Sequence, residues 1–115
     1  MFLDYFDHVY VINLARRLDR RAKMQEQLDG YGIQFTFFEA TDNQANGVAG
    51  LIDSMKRLFA DALSKRYERI IVLEDDAEFL VEPIPFLQEC LKQLPRDFQL
   101  FYLGVNLLSR PLRIS

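Results

Sequence analysis

Short apolar runs separated by longer amphipathic stretches frame this 115-residue chain. Val9-Tyr10-Val11-Ile12 is short and mostly β-branched and gives way to polar Asn13, the pattern of a buried strand rather than a helix. Leu18, Ala22 and Leu28 then recur at near-helical spacing, with Gly30 and Gly32 as stop signals, so Leu18 to Asp29 is predicted helical. Phe35-Thr36-Phe37-Phe38, aromatic and bounded by polar residues, predicts a second strand, and Thr41 to Asn46 is a polar loop. From Val48 onward, Leu51, Ile52, Met55, Leu58, Phe59, Ala62 and Leu63 keep one face of a helix for about four turns. Arg69 to Leu73 predicts the third strand. Pro83 and Pro85 suit the first turn of a helix that turns Phe86, Leu87, Cys90, Leu91 and Leu94 inward and stops at Pro95. Leu100-Phe101-Tyr102-Leu103 predicts a fourth strand, closed by Gly104.

Strands that alternate with helices and are apolar almost throughout predict an α/β fold: a mostly parallel sheet with helices on both faces and right-handed crossovers. No repeat, low-complexity tract or linker divides the chain, so residues 1–115 are read as one domain. In such a sheet the C-terminal ends of the strands open on one rim, and ligands bind in the crevice there. Asn13, the residues after Phe38, and Glu74 to Asp76 are therefore expected to converge.

Glu74-Asp75-Asp76 directly follows Ile70-Ile71-Val72-Leu73. Adjacent carboxylates repel and raise one another's pKa unless a cation or hydrogen-bond donors compensate. A hard divalent ion, with phosphate oxygens completing its shell, is the natural compensation. The competing reading is an acidic turn in water. A second cluster, Arg16, Arg17, Arg20 and Arg21, brackets the start of the first helix. Cations oppose the positive end of the helix dipole by some ~0.3–1 kcal/mol each. A bound phosphate would reverse that sign, since guanidinium forks match its oxygens; neutralisation by Asp19 and solvent is the plain alternative. Gly47-Val48-Ala49-Gly50 precedes the long helix but lacks P-loop or dinucleotide spacing. Gly50 is read as a site of close packing.

Half of the residues are apolar and ten are Phe, ample for a core, and the net charge of −3 with both signs interspersed offers no general attraction to nucleic acid or anionic membranes. The five tyrosines are scattered, not arrayed as a stacking platform. No stretch has the length of a membrane span and the first residues lack a signal-peptide layout, so a cytoplasmic location is expected. The single cysteine, Cys90, excludes an internal disulfide and is read as packed in a helix face. His8 has no metal-ligand spacing around it and is read as structural.

Taken in order, Val11-Ile12-Asn13-Leu14 with the arginines behind it, Glu39-Ala40, Gly47 to Gly50 with Ser54, and Val72-Leu73-Glu74-Asp75-Asp76 resemble glycosyltransferase family 25, the lipooligosaccharide-biosynthesis and procollagen galactosyltransferase group. The resemblance runs from about Val9 to Leu103. It implies a GT-A-like, Rossmann-like nucleotide-binding half-domain and a UDP-sugar donor, with transfer to a glycan or lipid-linked acceptor. By the same resemblance Asp76 is the expected Mn²⁺ (or Mg²⁺) ligand, with Glu74 facing the metal or the nucleotide sugar and Asp75 supporting both. Asn13, Leu14 and Arg17 are expected on the nucleotide side, Arg20 and Arg21 more weakly, and Ser54 matches the family serine. Leu51 and Met55 stand where the family has cysteine and histidine. The loop from Thr41 to Asn46 is short for the family. The chain is expected to lack the family's C-terminal half, with its acceptor contacts and general base, and no catalytic residue is assigned. Two other readings stand beside transfer: a nucleotide- or metal-binding remnant whose apolar surface a homo-oligomer or partner covers, and, ranked last, a phosphoacceptor domain. The latter requires carboxylates after the first strand, where Asn13-Leu14-Ala15-Arg16 stands instead.

Overall fold

The computed structural model describes residues 5–79 and 82–93. Strand β1 (His8–Asn13), helix α1 (Leu18–Gly30), strand β2 (Thr36–Glu39), helix α2 (Gly47–Ser64), strand β3 (Ile70–Glu74) and helix α3 (Pro83–Gln93) follow in order. The strands form an open parallel sheet of order β2-β1-β3. Fold class and the bounds of these elements agree with the sequence expectation to within a residue or two. The side chains of Leu87 and Leu91, and everything from residue 94 on, including the expected strand Leu100–Leu103, lie outside the described residues.

Central β1 divides its side chains between two cores, because successive residues of a strand point to opposite faces. Val9 and Val11 pack with Met24 and Leu28 of α1 and with Ile33, joined by Phe37, Ile71, Leu73 and, from α3, Ile84. Tyr10 and Ile12 pack on the other face with Leu58 and Ala62 of α2, joined by Phe38, Met55, Ile70 and Val72. Helices thus cover both faces. The connection from β1 leaves toward the α1 face and that from β2 toward the α2 face.

The structure corrects the faces of three helices. Leu18 is 69% exposed and Ala22 is also exposed, so of the three apolar residues that marked α1 only Leu28 is buried, with Met24 beside it. Leu18 opens the helix at the sheet rim, where there is no core to receive it. In α2 the stripe turned inward is Gly50, Ser54, Leu58 and Ala62, spaced four apart. Leu51, Ile52, Phe59 and Leu63, expected on the inner face, are exposed. In α3, Phe86 is exposed while Ile84 reaches the core. The inner stripe of α2 is made of small residues except Leu58, because the helix lies close over the segment after β2. A Cβ on Gly50 would stand 2.9 Å from the Thr41 carbonyl oxygen and 3.2 Å from the Asn43 Cβ.

Candidate functional site

Pairing of Ile12 with Glu74 in the β1–β3 register brings the exits of these strands side by side. By alternation Asn13 and Asp75 follow on the α1 face, and both are buried. The Asn13 side-chain amide donates to Asp75 Oδ2 at 3.0 Å and to the Arg17 carbonyl at 3.4 Å. One side chain thereby joins the end of β1, the turn into α1 and the acidic exit of β3. Arg20 Nη1, one turn into α1, lies 3.4 Å from Asp75 Oδ1. The central carboxylate of the triplet therefore already has its compensation within the protein.

The flanking carboxylates do not. Among the described residues neither the Glu74 nor the Asp76 side chain has a hydrogen bond or ion pair. Glu74 is exposed, yet its pKa is raised, first by the partial burial of its carboxyl and then by the negative charges of Asp76 and Asp75. No three His, Cys, Asp or Glu side chains among the described residues converge on a metal position. Two unsatisfied carboxylates nevertheless suit a Mg²⁺ or Mn²⁺ that takes one or two protein oxygens and completes its shell with phosphate and water.

Three of the four clustered arginines are engaged by carboxylates. Arg17 meets Asp19 through two bonds of 3.0 and 3.1 Å, which hold the Asp19 carboxyl down at a pKa of about 2. Arg16 reaches Asp42 at 2.8 Å and so ties the turn after β1 to the loop after β2. Arg20 serves Asp75. Arg21 has no such partner among the described residues; its guanidinium carbon lies 4.2 Å from the centroid of the Phe37 ring. Neutralisation by Asp19 thus describes Arg17 alone.

Arg21 and Phe37 line a pocket of about 250 Å³ with Asn13, Ala15 and Glu39, at the C-terminal ends of β1 and β2. Binding sites for whole small molecules run to roughly 300–1,000 Å³, so this hollow suits one ring of a larger ligand whose remainder extends along the rim. Arg21 was only a weak expectation and Phe37 was none. A signal for them existed: Phe37 and Glu39 lie two apart in β2, hence on one face, and that is the face of Val11 and Asn13. Leu14 is half-buried in the turn into α1, where its carbonyl accepts from the Arg17 amide at 2.9 Å. Ser54 is brought near the rim but buried beneath it. Its hydroxyl accepts from the Thr41 amide and donates to the Gly50 carbonyl, both at 2.8 Å, so its capacity serves the loop and the helix. His8 lies at the other end of β1, bonded to Thr36 and stacked on Tyr67.

Residues 6–56 match the sequence model described as Glycosyltransferase family 25 (LPS biosynthesis protein). Procollagen galactosyltransferase 2 of Homo sapiens is 25% identical in a match that covers 86% of this chain and 21% of that protein, and the Mus musculus protein of the same name gives the same figures. The chain thus spans about one-fifth of the length of these curated relatives. No solved structure matches. Together the matches show a likeness to glycosyltransferase family 25 over residues 6–56 and, at 25% identity, to these two relatives.

Proposed function

We propose that this chain, which resembles glycosyltransferase family 25 over residues 6–56, is the donor-binding part of a metal-dependent hexosyltransferase with a GT-A-like fold. The donor is a UDP-hexose and the acceptor a glycan or lipid-linked glycan. The observation that carries the reading is the Asn13–Asp75 hydrogen bond with Arg20 on the same carboxylate. It fixes the acidic exit of β3 beside the pocket and leaves Glu74 and Asp76 without partners among the described residues. Glu74 and Asp76 would hold a Mn²⁺ or Mg²⁺, which would neutralise the departing diphosphate. Asn13, Glu39, Arg21 and Phe37 surround one ring of the nucleoside. Arg17 and Arg20 lie along the path of the phosphates. The Arg17–Asp19 pair is exposed, and such pairs are worth only about 0–1 kcal/mol, so a phosphate can replace Asp19 at little cost.

Thermal unfolding with Mn²⁺ and UDP tests donor binding. Ligand at one hundred times its Kd should stabilise by roughly 2.7 kcal/mol, and the shift should vanish in Asp76→Asn. No shift with millimolar UDP and metal would remove the donor reading. A second reading is binding without transfer: the single histidine stands at the opposite end of the sheet, so a base at this rim would have to be a carboxylate. Release of free hexose or transfer to an acceptor, followed by chromatography, separates the two.

A further inference from the structure

Residues 39–41, which leave β2 beside the pocket, are held by α2 from the opposite face of the sheet. Arg57 Nη2 donates to the Glu39 carbonyl at 3.0 Å and to the Thr41 hydroxyl oxygen at 2.7 Å, while its Nε donates to Asp53 at 3.2 Å. The Thr41 hydroxyl itself bonds Asp53. Its amide is held by Ser54, and the amide of the intervening Ala40 donates to the Asn13 carbonyl at 2.9 Å. The Arg57 guanidinium lies over the Phe38 ring, 5.3 Å from its centroid, which restricts its approach to one direction. Three consecutive residues thus have a backbone group fixed: Glu39 by Arg57, Ala40 by β1 and Thr41 by Ser54.

We infer that Arg57, braced by Asp53, is a positioning residue for the nucleotide pocket: it holds the Glu39 main chain from the α2 face so that the Glu39 side chain stays opposite Asn13 and Arg21. The inference rests on the donor reading above and assigns a role to a residue outside the pocket. The arrangement is specific to a guanidinium. A lysine offers a single ammonium centre and cannot span the Glu39 carbonyl, Thr41 and Asp53 in one plane. It also accounts for Gly50, since a Cβ there would press on the same Thr41 carbonyl.

A double-mutant cycle on the full chain tests it, with UDP and Mn²⁺ affinity measured by calorimetry for wild type, Arg57→Met, Glu39→Gln and the pair. If Arg57 acts through Glu39, each single variant should weaken UDP by about tenfold, and the double variant should be no weaker than Glu39→Gln alone. Additive losses would mean that Arg57 does not work through Glu39 and would overturn the inference, as would unchanged affinity in Arg57→Met. Amide hydrogen exchange gives an arm independent of nucleotide. Exchange at Ala40 and Thr41 should rise in Arg57→Met and in Arg57→Lys more than at β1, whereas unchanged protection would also refute the latch. Failure of wild type to bind UDP would sink the donor reading, and the exchange measurement would still decide whether the latch exists.

Discussion

Asn13 shows how much one polar side chain at a strand end can organise. Its amide has two N–H donors, and both are spent inside the protein, on Asp75 and on the Arg17 carbonyl. Asn13→Ala would leave the buried Asp75 carboxylate with Arg20 as its one remaining side-chain partner among the described residues. A loss of about 1–3 kcal/mol follows from removing a buried hydrogen-bond partner, read as a lower urea midpoint. Glu74 gives the opposite sign. Its ordinary pKa is 4.5, and in the fold it is raised by burial and by the charges of Asp76 and Asp75. The unfolded chain therefore loses this proton at lower pH than the native chain, and ionisation weakens the fold. That weakening is absent below 4.5, grows as pH rises through the folded value and is complete above it. Glu74→Gln should accordingly be more stable than wild type at neutral pH and equal to it in strong acid, with Mn²⁺ narrowing the gap at neutral pH. Equal urea midpoints at neutral pH would show that Glu74 is under no electrostatic stress.

At the scale of the element, α2 shows why periodicity alone placed the helix but not the whole of its inward face. Seven apolar residues outnumber the small ones, and any reading by hydrophobicity turns them inward. Of these seven the chain buries Leu58 and Ala62 and packs Met55 against the core, but it adds Gly50 and Ser54 to the inner stripe and leaves the other four exposed, since the loop after β2 lies against the helix at Gly50 and leaves no room there for a larger side chain. Gly50→Ala separates the two influences. Helix propensity favours alanine by about 1 kcal/mol, while a Cβ 2.9 Å from a backbone carbonyl forces the loop or helix to move. Overpacking of that kind costs roughly 1–3 kcal/mol and is expected to win, lowering the thermal midpoint. A higher midpoint would mean that the loop yields freely.

For the molecule as a whole, the outer face of α2 leaves Val48, Ile52, Phe59 and Leu63 exposed, the last at 75%. No helix among the described residues is long and apolar enough to cross a membrane. Substitution of a residue so exposed changes stability by no more than about 0.5 kcal/mol. Leu63→Lys is expected to stay within that range at low protein concentration. A larger, concentration-dependent loss by denaturant titration would reveal that another surface covers the face.

The strand ends and the acidic triplet were legible in the sequence because they follow from local rules: β-branched runs, helix stops and the placing of Asn13 and Glu74 to Asp76 directly after apolar strands. Parallel topology followed from alternation, and it placed those ends on one rim before any coordinates. Three things needed the tertiary structure. Only the register that pairs Ile12 with Glu74 puts Asp75, rather than a neighbour, against Asn13. Only the packing of α1 leaves Arg21 over Phe37 while Arg16, Arg17 and Arg20 are drawn to carboxylates. Only the close approach of α2 selects its small-residue stripe. Sequence patterns report how often a residue type is buried, whereas pairing between segments far apart in the chain depends on distances that no single segment encodes.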